Sequence, residues 1–438
     1  MIGARTRKTN TLVIGAGQAG LTLSRELNRR GVAHVVLERG RIGERWISER
    51  WESLCLLTPN WLNRLPGGEA HVDAEGFLHS RDLVDYLRAY ALSIGTSVHE
   101  SVDVLAVERS RGGFHVQTDS GDWHARNVVV ATGDSDIVNR PSLAMAAPGW
   151  LVQVDANRYR SPDRIPAGGV LVVGAGASGQ QIAGELRRAG RRVVIATGTH
   201  ARMVRRYRGK DIWHWLDRLG ELERTIDDVP DAEGARRAIS FALSGRNGGE
   251  ELDLGRLDAL GVTVSGRLEG WDGATARFSD NVEIDVADSD LRLHRTLDQI
   301  DEYVAAHPEG DSAGPGGDAV PPVALPAAPN SLDLASERFS TVIWATGYRR
   351  AYPWLHAPVL SSAGEIEHRY GVTAVRGLYV LGLRFQRRRT SHFIGGVGAD
   401  AAFLADHLTT CDQHHPTTAA RPCPARPRFP VRARTVLA

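Results

Sequence analysis

Two glycine-rich segments of one type carry the chemistry legible in this sequence. The first reads Thr11-Leu-Val-Ile-Gly15-Ala-Gly17-Gln18-Ala19-Gly20, the second Val170-Leu-Val-Val-Gly174-Ala-Gly176-Ala-Ser178-Gly179. Each follows an apolar, β-branched run and opens a helical pattern, the setting in which G-x-G-x-x-G holds a dinucleotide. The first glycine permits a tight turn, the second lets backbone approach a pyrophosphate, and the third lets helix pack on strand. The helix N-terminus then offers free N–H groups and the positive end of its dipole to the phosphates. Gly15, Gly17, Gln18, Ala19 and Gly20 form one candidate site; Gly174, Gly176, Ser178 and Gly179 form a second. Two dinucleotides on one chain suggest hydride transfer from a nicotinamide to a flavin.

The residues downstream of each fingerprint distinguish the two sites. Glu38 stands at the end of the next strand, about 20 residues on, where an acid bonds ribose hydroxyls. After the second fingerprint, Arg192-Val-Val-Ile-Ala196 leads into Thr197-Gly198-Thr199-His200, with no acid at that position. Arg202, Arg205 and Arg206 follow. An arginine suits the 2′-phosphate of NADP, which an acid would repel. Arg202 and Arg205 are the candidate phosphate contacts, NADP is favoured over NAD, and the alternative is a solvated basic stretch.

These sites need two doubly wound units. At 438 residues, a length of roughly 150 residues per domain suggests two or three domains. Residues 11–38 read as a βαβ unit, with strands Leu12–Ile14 and Val35–Leu37 around a helix carrying Leu21, Leu23 and Leu27. Val102–Val107, Gly113–Thr118 and Trp123–Val130 read as an antiparallel set running into Ala131-Thr132-Gly133. A second βαβ unit runs from Val170 to Ala196, and a helix is expected near Leu291–Ala306. Residues 308–330 are rich in Gly, Pro and Ala and read as a flexible surface loop. Order returns at Thr341–Gly347, at a strand Gly377–Leu381 and at a helix Ala399–Leu408. The expected fold is α/β with two Rossmann-like dinucleotide-binding domains, the NADP domain inserted into the FAD domain. The FAD domain takes 1–165 and 336–410, the NADP domain 166–335, and 411–438 reads as a disordered tail.

Composition narrows the function. The net charge of +1 gives no support for a nucleic-acid partner. Of three cysteines, none forms Cys-x-x-Cys, which argues against a disulfide framework and against the dithiol centre of two-nucleotide disulfide reductases. Cys55 reads as a small buried apolar residue. The 16 histidines are scattered and show no zinc spacing. Arg5, Arg7 and Lys8 precede an apolar stretch, but Gly15, Gly17 and Gly20 interrupt it, against a signal peptide. No apolar run is long enough to span a membrane, so a cytoplasmic enzyme is expected.

These residues together resemble the class B flavoprotein monooxygenases, the group of flavin-containing monooxygenases, YUCCA-like and Baeyer–Villiger enzymes. The resemblance covers about residues 10–410. It rests on both fingerprints, on Gly43-Glu-Arg45-Trp46 where the family has Gly-Gly-x-Trp, and on Trp344-Ala-Thr346-Gly347-Tyr348, similar to its Ala-Thr-Gly-Tyr. Leu65-Pro66-Gly67 and Arg205-Arg-Tyr-Arg-Gly209 are similar to segments of bacterial members. The resemblance implies FAD at the first site and NADPH at the second, with Arg45, Trp46, Ala131, Thr132, Gly133, Thr346 and Gly347 among the cofactor-binding residues. It implies a C4a-(hydro)peroxyflavin that gives one oxygen atom of O2 to a small organic substrate.

Two departures bear on the oxygen-transfer step. Asp155 falls where the family's linking motif has His, and Leu57 falls where flavin-containing monooxygenases have an Asn, with Asn60 close by. Both motivate an alternative, an NADPH-dependent flavin reductase or NADPH oxidase without productive oxygen transfer; a non-catalytic nucleotide-binding sensor is a third reading. Asp155, Asn60 and His392 are the catalytic candidates. His392, in Ser391-His392-Phe393 before a glycine-rich turn, is weighed as a general base. Trp213, His214 and Trp215 read as core before substrate pocket.

Overall fold

The computed structural model describes residues 6–308 and 319–413. Its first sheet is centred on strand Arg7–Ile14, which is buried from Thr11 onward. That strand pairs in parallel with His34–Leu37 and with Trp123–Val130. Val104–Ser110, Gly113–Thr118 and Trp123–Val130 form the expected antiparallel meander. Leu378–Val380 returns to pair in parallel with Trp123–Val130, and Leu355–His356 adds to Val104–Ser110. Residues from about 355 onward therefore rejoin the first sheet, as an inserted second unit requires. Helix Gly398–Gln413 buries Ala401, Leu404, Ala405 and Leu408 in one core with Leu21, Leu23 and Leu27 of helix Gln18–Arg29.

The second sheet has five strands in the order Thr263–Ser265, Val193–Ala196, Gly169–Val173, Phe339–Trp344, Val152–Asp155. Every pairing is parallel. Gly169–Val173 is buried at each residue, the continuous apolar run that a parallel strand covered on both faces needs. The expected borders at 165/166 and 335/336 need correction. Val152–Asp155 and Phe339–Trp344 both join the second sheet, so that unit runs from 152 to 344. An apolar run marks a strand but does not say which sheet receives it.

The expected loop at 308–330 also differs in its described part. Val323, Leu325 and Ala328 pack on the second core, the Val323 N–H donates to Asp290 at 2.7 Å, and Ser331–Asp333 pairs with Thr275–Phe278. Residues 309–318 lie outside the described residues, as does the expected tail beyond Gln413. The helix expected near Leu291–Ala306 starts earlier, at Val282. Among the described residues no helix is long and apolar enough to cross a membrane, and no His, Cys, Asp and Glu group could hold a metal ion.

Candidate functional site

The two fingerprint turns are built alike. Gly15 has φ +110°, and a Cβ there would stand 2.5 Å from the Ala131 carbonyl oxygen. Gly174 has φ +108°, and its Cβ would stand 2.4 Å from the Ala345 carbonyl oxygen. Each Ala-Thr-Gly segment is thus the wall against which the first glycine turns. A Cβ at Gly20 would come within 1.9 Å of the Gly15 oxygen, and one at Gly179 within 1.8 Å of the Gly174 oxygen. Both positions exclude any side chain, because helix and turn touch through backbone.

Gly17 and Gly176 are glycine for another reason. A Cβ at either would meet nothing within 4 Å. It would project into open space in front of a helix N-terminus. Neither helix has a side-chain cap or an acidic residue in its first turn, so the leading N–H groups are not taken up by the helix's own side chains. Open cradles of this kind fit a pyrophosphate. Gly133 and Gly347, at φ +85° and +84°, also leave open space where a Cβ would stand.

The ribose ends differ as their sequences do. Glu38 accepts from the Ala16 N–H at 2.7 Å and the Gly40 N–H at 2.9 Å. These bonds fix the carboxylate at the strand end, and its remaining lone pairs are free for ribose hydroxyls. At the second site Thr197 takes the corresponding place. Its Oγ1 is buried without a hydrogen-bond partner, and Thr197 lines the cavity described next. A lone Thr after a strand carries no motif of its own, so Thr197 gives no sequence signal beyond the missing acid.

A cavity of ≈ 1270 Å³ runs along the second fingerprint. It takes in Gly174, Gly176, Ser178, Thr197, Thr346 and Gly347, and reaches Trp46, Arg50, Leu57, Ser135 and Arg384 from the first unit. Residues of the first fingerprint do not line it. The volume exceeds the roughly 300–1,000 Å³ of ordinary small-ligand pockets. Trp46 packs against the cores of both units, and the Arg50 guanidinium lies 5.1 Å over its ring. Burial pushes the Arg50 pKa down from its ordinary value. Arg45 donates to the Ser135 carbonyl and to Asp136 at 2.6 Å, so it ties the Trp46 segment to the chain following Gly133. Cys55 also lines the cavity, and burial pushes its thiol pKa up.

Several expected site residues are engaged elsewhere. Arg202 bonds Asp290 at 2.6 Å, Asp253 at 3.2 Å and the Pro321 carbonyl at 3.1 Å. Arg205 is fully buried, bonds Asp211 at 2.5 Å and the Leu57 carbonyl at 2.7 Å, and lies 4.3 Å over the Phe77 ring. Arg206 donates to the Gly248 and Gly249 carbonyls. None of the three lines the cavity, so the assignment of phosphate contacts to Arg202 and Arg205 is corrected. Most of their partners come from distant segments that local spacing does not reveal, although Asp211 stands only six residues past Arg205.

The catalytic candidates fare similarly. Asp155 accepts from Arg140 at 2.6 and 3.0 Å and lies off the cavity wall. Asn60 uses its whole amide locally: Nδ2 donates to the Asp73 carbonyl at 2.8 Å, and Oδ1 accepts from the Leu78 N–H at 2.8 Å. It closes its own loop. His392 has no partner at Nδ1, and burial pushes its pKa down to about 3. A general base works best with a pKa near the working pH, so the general-base reading of His392 is corrected. Trp213 and Trp215 are core residues: their indoles donate to the Leu57 carbonyl at 3.2 Å and the Tyr207 carbonyl at 2.7 Å.

Comparison with known proteins agrees with this architecture. The family model for pyridine nucleotide-disulphide oxidoreductases matches residues 12–217. An uncharacterized CzcO-like oxidoreductase of Geobacillus kaustophilus is 31% identical over 402 residues, covering 91% of this chain and 98% of the relative. The indole-3-pyruvate monooxygenase YUCCA4 of Oryza sativa subsp. japonica is 25% identical over 419 residues, covering 89% of this chain and 85% of the relative. Among solved structures, the flavin-containing monooxygenase from Stenotrophomonas maltophilia shares the fold, with a TM-score of 0.64 at 18% identity over 93% of this chain and all of that one. The fold and the matches define an oxidoreductase. The chain belongs to the CzcO-like oxidoreductases.

Proposed function

We propose that the chain is an NADPH-dependent FAD monooxygenase that passes one oxygen atom of O2 to a small organic substrate. The observation that carries this reading is the pair of open cradles at Gly17 and Gly176, each facing a helix N-terminus with no acid in its first turn. FAD fits the first cradle, where Glu38 stands at the ribose position. NADPH fits the second, where Thr197 stands in place of an acid. When bound, FAD accepts a hydride from the nicotinamide and activates oxygen, chemistry that belongs to the cofactor rather than to a side chain.

The chain's own residues bind, orient and exclude water. Backbone N–H groups after Gly17 and Gly176 hold the two pyrophosphates. Trp46 and Tyr348 line the cavity between the units. Burial raises the Tyr348 phenol pKa, so it stays protonated and able to donate. No proton-transfer residue is required from Asp155, Asn60 or His392.

The test is anaerobic reduction of the FAD-loaded protein by NADPH, followed by mixing with O2 and a panel of small substrates. Indole-3-pyruvate, in the name of the rice relative, belongs on that panel. Flavin bleaching by NADPH and oxygenated product in proportion to NADPH consumed support the reading. Bleaching with only hydrogen peroxide released would favour the oxidase alternative. No bleaching would overturn the enzyme reading.

A further inference from the structure

We infer that Arg267 is the residue that selects NADPH over NADH, by meeting the 2′-phosphate of the nucleotide. This rests on the reading of the second fingerprint as the NADPH site. Strands Val193–Ala196 and Thr263–Ser265 are parallel neighbours, with Ala196 level with Ser265. The Thr197 N–H donates to the Ser265 carbonyl at 2.9 Å, which keeps the two strand ends level. Arg267, two residues past Ser265, therefore emerges beside Thr197, Gly198 and Thr199.

The side chain lies over Gly198. A Cβ at Gly198 would stand 3.1 Å from Arg267 Nη2 and 3.2 Å from its Cζ, so the glycine leaves room for the guanidinium. Its backbone is clamped: the Arg267 N–H donates to Ser279 Oγ at 2.9 Å, and its carbonyl accepts from the Ser279 N–H at 2.9 Å. The guanidinium itself has no hydrogen bond or ion pair among the described residues, and it lines the cavity together with Thr197, Gly198 and Thr199.

Three facts combine. The strand end offers no carboxylate, unlike Glu38 at the first site. Arg202 and Arg205 hold their charge in internal ion pairs. Arg267 is an unpaired cation at the place where the adenosine ribose of a dinucleotide on this fingerprint would lie. An arginine presented there makes charge-assisted bonds to a phosphate, while the NADH ribose hydroxyl gives it no anion to meet.

The experiment uses FAD-loaded wild type, Arg267→Ala and Arg267→Lys. Calorimetry compares adenosine 2′,5′-bisphosphate with adenosine 5′-monophosphate, and steady-state rates compare NADPH with NADH. Wild type is expected to prefer the bisphosphate. Arg267→Ala should lose about tenfold or more of that preference with little change for the monophosphate, and Arg267→Lys should retain part of it. An unchanged preference in Arg267→Ala overturns the inference. Equal loss for both probes also overturns it, because it would mean stacking on adenine. Failure of wild type to bind either probe, with no flavin bleaching by NADPH, would instead overturn the NADPH-site reading beneath it.

Discussion

Arg140 grips Asp155 through Nη2 at 2.6 Å and Nε at 3.0 Å, closing the edge strand of the second sheet with an ion pair. The Asp155 side chain is 16% exposed and that of Arg140 41%. A carboxylate neutralised in this way has little charge left to direct toward a nicotinamide. Asp155→Asn and Arg140→Ala should therefore behave alike. Each should lower stability by about 0.5–1 kcal/mol, typical of a partly exposed pair. FAD content, NADP⁺ affinity and hydrogen peroxide release should not change. Urea unfolding, flavin absorbance and a peroxide assay check this. A rise in peroxide in Asp155→Asn but not in Arg140→Ala would return Asp155 to the cofactor.

Gly17 and Gly20 make opposite demands, and substitution should separate them. Gly17→Val places its side chain in open space, so the protein should fold with near-native stability but fail to retain FAD. Gly20→Ala sets a Cβ 1.9 Å from backbone and should destabilise the fold by about 1–3 kcal/mol or more. Thermal unfolding and flavin content of the two variants, measured side by side, decide it. A Gly17→Val protein that keeps its FAD would show that the cradle is not where the pyrophosphate sits.

The contrast between those glycines also explains what the sequence could disclose. A requirement met within a few residues, such as Gly15 turning against its own helix at Gly20, leaves a motif. Glu38 was legible because its distance from the fingerprint is set by one helix and one strand. Arg202 escapes such a reading because Asp253 and Asp290 reach it only after folding, whereas the Arg205–Asp211 pair, six residues apart, lies within local reach but looks like an ordinary charged stretch. The second sheet was misjudged at both borders because Val152–Asp155 and Phe339–Trp344 pair with strands far away in the chain. Arg267 left no local trace: it meets Gly198 only because two parallel strands end level with one another.

The buried arginines carry a prediction of their own. Arg202→Ala leaves Asp253 and Asp290 facing an empty site, and Arg205→Ala does the same to Asp211. Removing one partner of a buried pair costs about 3–5 kcal/mol, because the other charge remains without compensation. Both variants should unfold at markedly lower temperature. In the fraction that stays folded, the Michaelis constants for NADPH and NADH should move together. A selective loss of NADPH use in Arg202→Ala, with stability intact, would restore it as a phosphate contact.

Asp400 supplies the pH dependence. It is fully buried in the first turn of helix Gly398–Gln413, and neither carboxyl oxygen has a hydrogen-bond partner. Desolvation raises its pKa to about 6, against the opposing pull of the Arg387 and Arg388 charges. The folded state therefore holds this proton more tightly than the unfolded chain, whose carboxyl titrates near 3.9. Below about pH 4 the group is neutral in both states and costs nothing. Between about 4 and 6 the unfolded chain releases its proton while the folded state keeps it, so stability falls as pH rises. Above the folded pKa the full penalty of about 3 kcal/mol is present. Asp400→Asn removes the titration, and the variant should be more stable than wild type at pH 8 while approaching it near pH 4. Urea midpoints measured across that range are the check. Parallel curves for the two proteins would mean that Asp400 is ionised and compensated in the folded state.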